Sequence, residues 1–127
     1  MSLHVALVIP DRELWSGEAS TVIAKTTEGD IGILIGHSPV FGILAEGSIA
    51  EIIGDETVRA AVSGGFLSVA DDKVSILAAQ AQLGGEVNVE QARQELAAAL
   101  AEAMPGAEDS PAVRYAKARL RAAGSQD

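Results

Sequence analysis

The sequence predicts a mainly β fold with an α-helical appendage: a sandwich or flattened barrel of about ten short strands, followed by an antiparallel two-helix hairpin. Two observations support this class. Before Gly84-Gly85, short apolar runs are separated by turn residues at intervals of about ten positions, which is typical of an all-β domain. After these two glycines, apolar residues recur at helical spacing. We therefore expect two domains, at residues 1–84 and 85–127.

The first predicted strand shows the pattern by which the others are assigned. Leu3, Val5 and Leu7 fall on one face of an extended chain, and Pro10-Asp11 closes the strand. The later runs are bounded in the same way by Gly, Asp and Ser, which favour turns. The predicted strands cover residues 3–9, 14–17, 20–27, 29–36, 40–45, 48–53, 57–62, 66–70 and 74–79.

The strand between Gly29 and Gly36 is unusual because it carries three glycines within an apolar run. So many glycines disfavour a helix, and the isoleucine and leucine side chains disfavour a loop. A strand with glycine at its ends satisfies both observations. His37-Ser38-Pro39 then leaves the strand on a polar turn, because the residue before a proline avoids the helical region. We expect an exposed tip on a rigid β scaffold.

The two predicted helices have recognisable ends. Asn88, with Gln91 three positions later, forms a capping-box pattern, and Met104-Pro105-Gly106 ends the first helix. Ser110-Pro111 starts the second helix with a cap residue and a proline at the first position. The apolar stripes comprise Ala92, Leu96, Ala99, Leu100 and Ala103, and then Val113, Ala116, Leu120 and Ala123. Because alanine buries little area, we expect the hairpin to depend on docking and to be able to change position.

Composition and charge exclude several classes of function. The absence of cysteine excludes a disulfide framework and thiolate metal sites. Residues 1–111 contain 5 basic and 17 acidic side chains, a balance of −12, whereas residues 112–127 contain 4 and 1, a balance of +3. The acidic body argues against nucleic acid as a partner, and the basic tail indicates an acidic partner surface. We see no signal-peptide pattern and no apolar run of roughly 18 residues, so membrane contact is expected only through partners.

The polar residues do not predict an active site. Asp30, His37 and Ser38 lie close in sequence, but a catalytic triad requires mutual hydrogen bonds and an oxyanion hole. His4 and His37 are the two histidines and lie on distant elements, so no metal site is expected. We therefore predict no catalytic residue, no metal and no cofactor.

Two further motifs have structural explanations. Ser63-Gly64-Gly65-Phe66 lacks the Lys-Ser/Thr ending and the following helix of a phosphate-binding loop. A bulge or tight crossover, with Phe66 returning to the core, is the preferred interpretation. Trp15, the single tryptophan, is expected in the core or at its rim.

Three segments together resemble the epsilon subunit of the F-type ATP synthase: residues 29–39, residues 63–66 and residues 74–78. The resemblance extends from about Leu3 to about Ala123. It implies a non-catalytic rotor subunit of the central stalk, whose sandwich binds the gamma subunit and the membrane c-ring and so couples proton-driven ring rotation to the stalk. It also implies that the hairpin can reach the alpha and beta catalytic subunits, and that the protein is peripheral on the cytoplasmic face of the bacterial plasma membrane.

The resemblance also implies roles for particular residues. The c-ring interface would comprise Asp30, His37, Ser38 and Pro39. Four basic residues of the second helix would either be a solvated face or meet acidic loops of the beta subunits, and in both cases should face away from the apolar stripe: Arg114, Lys117, Arg119 and Arg121. The alternative to the whole interpretation is a free-standing β-sandwich that binds a ligand or regulates another enzyme, with the hairpin as a lid.

Some bacterial epsilon subunits bind ATP between sandwich and hairpin, and their motif can be laid onto this chain. It falls on Gln82, Val87, Asn88, Gln91, Tyr115 and Arg119. Only Arg119 keeps the expected residue type, and Val87 is a tolerable apolar exchange. Asn88 and Gln91 replace an acid and a base, so charge-assisted hydrogen bonds to the nucleotide are lost. We therefore predict no useful ATP binding.

Overall fold

The computed structural model describes residues 2–102 and 110–124. Its strands are β1 (Leu3–Ile9), β2 (Arg12–Ala19), β3 (Thr21–Thr26), β4 (Gly29–Leu34), β5 (Val40–Leu44), β6 (Ser48–Ile53), β7 (Thr57–Val62), β8 (Gly65–Ala70), β9 (Lys73–Ala78) and β10 (Ala81–Leu83). A short 3-10 helix (Gly84–Glu86) leads to helices α1 (Val89–Glu102) and α2 (Pro111–Ala122). The predicted fold class is confirmed.

The strands form one sheet that folds into a nearly closed sandwich. Neighbours follow the order β10-β7-β6-β3-β5-β8-β9-β1-β2, and β4 pairs with β3 outside this path. Most pairs are antiparallel, but β1 runs parallel to β9, with His4 opposite Lys73. The end strand β10 returns beside β2 at the other end of the sheet. Among the described elements, strand β10 and the 3-10 helix were not predicted, because three residues are too few to show a periodicity.

The core of the sandwich is aliphatic, in keeping with a sequence in which 48% of the residues are hydrophobic and only 3% are aromatic. Its largest enclosed side chains include Leu3, Leu7, Ile33, Leu67 and Ile76. They come from strands on both walls, because every second residue of a strand points inward. Trp15 is partly buried and packs against this core, which confirms its expected place at the rim.

The turn between β8 and β9 connects two loops at one end of the sandwich. Asp71 and Asp72 both have positive φ, 52° and 60°, as a two-residue hairpin turn of this hand requires. The Asp72 carboxylate accepts a hydrogen bond of 2.7 Å from the Gly36 N–H, in the turn that follows β4. The β4–β5 loop is therefore attached to the β8–β9 turn.

Both helices begin as predicted. The Asn88 side chain accepts a hydrogen bond of 3.0 Å from the Gln91 N–H, and Ser110 caps α2, with Pro111 in the first turn. Within the described part of α1, Ala92 is the one buried residue, whereas α2 buries residues on two faces. Helix α2 is thus the inner helix. The predicted stop at Met104-Pro105-Gly106, and Ala103, lie outside the described residues.

Helix α2 packs on the outer face of β6 and β7. Ala118 and Ala122 contact Ala61, and Ile49 and Tyr115 flank this contact. Two glycines allow the close approach: an added Cβ would lie 2.3 Å from the Arg114 Cβ at Gly47 and 2.1 Å from the Ala122 carbonyl oxygen at Gly84. The hairpin is therefore docked on the sandwich in this structure. The division at residues 84 and 85 remains a prediction.

Candidate functional site

An exposed apolar patch covers the outer face of β5, β8 and β9. We define it by Phe41, Ile43, Phe66 and Leu77, all of which are exposed. Ile43 lies opposite Phe66, and Phe66 lies opposite Leu77, so these residues form a row across three strands. The rings of Phe41 and Phe66 stack with centroids 5.4 Å apart. A contiguous apolar surface of this kind is typical of a site that another protein covers.

The expectation that Phe66 returns to the core is wrong. Phe66 is 45% exposed, whereas Leu67 and Val69 on the same strand are buried. The alternation along β8 sends its leucine and valine inward and its phenylalanine outward. The predicted tight backbone approach does occur, because Gly65 has φ of 140° and an added Cβ would lie 1.9 Å from the Leu77 carbonyl oxygen. Strict period-two counting from Leu67 would have identified the outward ring.

The predicted c-ring residues lie along strand β4 and do not share one tip. Asp30 is exposed at the start of β4, opposite Lys25, whereas His37-Ser38-Pro39 follow its far end. A six-residue strand spans roughly 20 Å, so the two groups are at opposite ends of the sandwich. Glycines flank both ends of this strand, so the turn at each end was treated as part of the same exposed tip. Asp30 and His37 are also too far apart to form a triad.

Strand β4 has one unpaired edge. Within the described residues, β4 pairs only with β3. The backbone N–H and C=O groups along its opposite edge therefore have no strand partner there. Added side chains at Gly29, Gly32 and Gly36 would meet no atom within 4 Å, so the faces of the chain are also uncrowded at these three positions. The His37 ring is oriented locally, with Nδ1 2.7 Å from the Ser38 carbonyl oxygen.

The second candidate site is centred on Arg119, between the hairpin and the sandwich. Its guanidinium forms an ion pair with Glu95 of α1 and donates a hydrogen bond of 3.4 Å to the Gln82 side chain of β10. It also lies over the Tyr115 ring, 5.1 Å from the centroid. Burial raises the pKa of Tyr115, an effect that Arg119 opposes and Glu95 reinforces.

The four basic residues of α2 do not share one orientation. The Arg119 side chain is only 11% exposed, so the expectation that it faces away from the packed surface is wrong. The reason is that Glu95 supplies a counter-charge inside the hairpin, and charges are buried when they are paired. Arg114 and Arg121 are exposed and Lys117 is partly exposed. Glu95 was missed because the facing register of two helices is not visible in their separate periodicities.

The residues at the nucleotide-motif positions have other partners. Asn88 caps α1 through the Gln91 N–H, and Arg119 contacts Glu95, Gln82 and Tyr115. Of the motif positions, Gln82, Tyr115 and Arg119 line a cleft of about 580 Å³ between the hairpin and the sandwich, and Asn88 does not. Within residues 2–102 and 110–124, no three His, Asp or Glu side chains are grouped as a metal site would require. No helix in the same ranges combines the length and the apolarity needed to cross a membrane.

Comparisons with known proteins agree on one family. The family model for the ATP synthase delta/epsilon chain β-sandwich domain matches residues 2–84. The ATP synthase epsilon chain of Thermobifida fusca is 51% identical, with 98% of this chain and 94% of the relative covered. The epsilon chain of Streptomyces avermitilis is 48% identical, with 98% and 97% covered.

Solved structures share the fold. A chain from a structure of the Euglena gracilis mitochondrial ATP synthase, comprising OSCP, F1 and c-ring, superimposes with a TM-score of 0.69 at 24% identity, covering 94% of this chain and 75% of that one. A chain of the Tetrahymena thermophila mitochondrial ATP synthase central stalk and c-ring gives a TM-score of 0.59 at 21% identity, covering 72% and 73%. Because its relatives match over nearly their whole length, the chain belongs to the ATP synthase epsilon chain family.

Proposed function

We propose that this chain is a non-catalytic rotor subunit of a proton-translocating F-type ATP synthase, which couples rotation of the c-ring to the gamma subunit. The family membership and the 51% identity to an ATP synthase epsilon chain support this role. The observation that carries the proposal is the apolar patch, because a sandwich without a catalytic constellation acts through its surfaces.

The apolar patch is proposed to bind the gamma subunit. Phe41 is 66% exposed, which corresponds to roughly 130 Å² of aromatic surface and about 3 kcal/mol if it is covered completely. Ile43, Phe66 and Leu77 extend the same surface across β8 and β9. A row of exposed apolar side chains across neighbouring strands suits a long helix of a partner, since helices that pack on other surfaces present an apolar stripe.

The free edge of β4 is proposed to face the c-ring. Asp30 and His37-Ser38-Pro39 can contact one ring together only if the strand between them lies along it, because they are at its opposite ends. The unpaired backbone groups of this edge would then accept and donate hydrogen bonds to polar loops of the ring. Mechanical coupling needs such contacts on two sides, and the apolar patch supplies the other.

The hairpin is proposed to restrain ATP hydrolysis by reaching the catalytic subunits. Arg114, Lys117 and Arg121 give one side of α2 a basic surface that fits acidic loops of the beta subunits, and Arg119, on the opposite side of the helix, would be available for a separate contact once the hairpin is extended. Residues 1–84 would act as the rotor-binding domain and residues 85–127 as the regulatory one. In this arrangement the protein is peripheral on the cytoplasmic face of the bacterial plasma membrane and touches the membrane only through its partners.

Affinity purification from native membranes tests the proposal. An affinity-tagged chain should recover the gamma subunit and the c-ring, whereas a free-standing ligand-binding module would be recovered alone from the soluble fraction. Phe66→Lys should lose the gamma subunit, because a charge on the patch would be buried without a partner. The matched control is Leu100→Lys, which places the same charge at an exposed leucine of α1. Equal recovery of gamma with both variants would contradict the assignment of the patch.

A further inference from the structure

Arg119 is the residue at which three elements of the structure meet. It lies on α2, pairs with Glu95 of α1, donates to Gln82 of β10 and covers the ring of Tyr115. One guanidinium therefore attaches the outer helix to the inner helix and the inner helix to the sandwich. We call the Arg119–Glu95 ion pair the latch.

Helix α1 itself buries few side chains. Within Val89–Glu102 only Ala92 is buried, and Leu100 is exposed although it belongs to the predicted apolar stripe. An alanine methyl group contributes little burial, and isolated helices of this length are marginal in water. The latch therefore adds a charged attachment to an apolar contact in which Val113, Ala116 and Leu120, on the face of α2 opposite Ala118 and Ala122, are buried.

The latch leaves part of the guanidinium unused. The Nε of Arg119 is enclosed and makes no hydrogen bond within the described residues, and the Glu95 side chain is 45% exposed. An arginine binds a carboxylate most strongly when two parallel N–H groups donate to its two oxygens. An acidic surface that offers such an arrangement can therefore compete with Glu95 for Arg119.

We propose that Glu95 is an internal substitute for an acidic partner of α2: it holds Arg119 while the hairpin is docked, so that α2 can offer this arginine to such a partner only after the latch opens. The identity of the partner rests on the proposed function, whereas the latch itself is a property of the isolated chain. Opening would free α1 first, because α2 retains its separate contact with β6 and β7.

Amide hydrogen exchange of the full-length isolated chain tests the latch. Glu95→Gln should accelerate exchange in α1 by about tenfold, the change that corresponds to about 1.4 kcal/mol, and leave the strands unchanged. The matched control is Glu90→Gln on the same helix. Glu90 lies in the first turn of α1, where a negative charge stabilises the helix. If Glu95 acts only through the stability of the helix itself, Glu90→Gln should accelerate exchange in α1 at least as much as Glu95→Gln does. Equal acceleration in both variants would overturn the proposal.

A double-mutant cycle separates the ion pair from a general role of Glu95. In an Arg119→Gln background, Glu95→Gln should produce no further acceleration in α1, and an undiminished effect there would also overturn the latch. In the reassembled ATP synthase, Glu95→Gln should lower the rate of ATP hydrolysis, because the hairpin extends more readily. Accelerated exchange in the isolated chain with unchanged hydrolysis would support the latch and contradict the proposed restraint of hydrolysis.

Discussion

Adding one methyl group at Gly84 should release helix α2 from the sandwich. In Gly84→Ala, the new Cβ would lie 2.1 Å from the carbonyl oxygen of Ala122 and 2.8 Å from its carbonyl carbon. Ordinary contacts begin at 3.4 Å, so the 3-10 helix and the end of α2 must separate by more than about 1 Å. Both atoms belong to the backbone, and no rotation of a side chain can relieve the overlap.

The cost of this overlap is similar to the free energy that docks α2. Overpacking by one methyl group typically costs about 1–3 kcal/mol. At the centre of the docking contact, the methyl groups of Ala61, Ala118 and Ala122 contribute about 2–3 kcal/mol at about 0.8 kcal/mol each, and the partly buried Ile49 and Tyr115 add to this. Because the overlap costs a large part of this free energy, we expect a measurable fraction of Gly84→Ala molecules to have α2 undocked while the sandwich stays folded.

Two measurements on the isolated chain can detect this release. Amides of α2 should exchange at least tenfold faster, and Trp15 should shift its fluorescence to longer wavelength, because it lines a cleft together with Ala122. Gly85→Ala is the control: it makes the same change in the unfolded chain, but its Cβ would meet nothing within 4 Å. If Gly84→Ala and Gly85→Ala give the same exchange and the same emission, the reasoning about the Ala122 contact is refuted.

Four other predictions follow from the two surfaces and the hairpin. Asp30→Lys should weaken assembly onto the membrane sector and change the free energy of unfolding by no more than about 0.5 kcal/mol, because the side chain is exposed; a simultaneous loss of fold would assign it a structural role. Circular dichroism should show residues 1–84 folded alone and residues 86–127 mostly unfolded, and a stably helical second fragment would contradict this. Calorimetric titration of ATP should give no dissociation constant below about 100 μM, since the arginine at the motif is already paired with a carboxylate. Spectrophotometric titration of Tyr115, the single tyrosine, should have a midpoint above 10.0, because burial raises the pKa of its hydroxyl group in the folded chain. The folded chain holds this proton more tightly than the unfolded chain does. The stability associated with this proton is therefore complete below about pH 10 and is lost as pH rises through the folded pKa. A midpoint at or below 10.0 would show that the ring is not buried by the hairpin.

Local patterns predicted the elements of this fold, and their failures have physical causes. Alternation, glycine turns and cap residues are encoded within a few positions, so the starts of both helices were predictable from Asn88 and Ser110. Phe66 was expected in the core after a bulge or tight crossover at the two glycines, but β8 alternates regularly from Leu67 and Val69, which are buried, so Phe66 faces outward. The inward position of Arg119 depends on Glu95, a residue on another helix, and no single-segment pattern contains that information.

The candidate surfaces were predictable only in part for the same reason. Each residue of the apolar patch is unremarkable in its own strand, and the patch exists because β5, β8 and β9 are neighbours in the sheet. The placement of Asp30 and His37 at opposite ends of β4 likewise follows from the strand length and not from residue type. Residue types indicated which side chains could bind a partner, but the topology determined which of them share a surface.

The parallel pairing of β1 with β9 has a consequence for biosynthesis. His4 cannot meet Lys73 until the ribosome has released the intervening chain, which takes several seconds at about 5–20 residues per second. Until then the N-terminal hairpin of β1 and β2 exposes one apolar face and one unpaired edge, and nascent chains in this state are prone to aggregate. The pairing of β1 with β9 is therefore completed late, because β9 is synthesised long after β1. We expect this long-range pairing to limit the rate of folding.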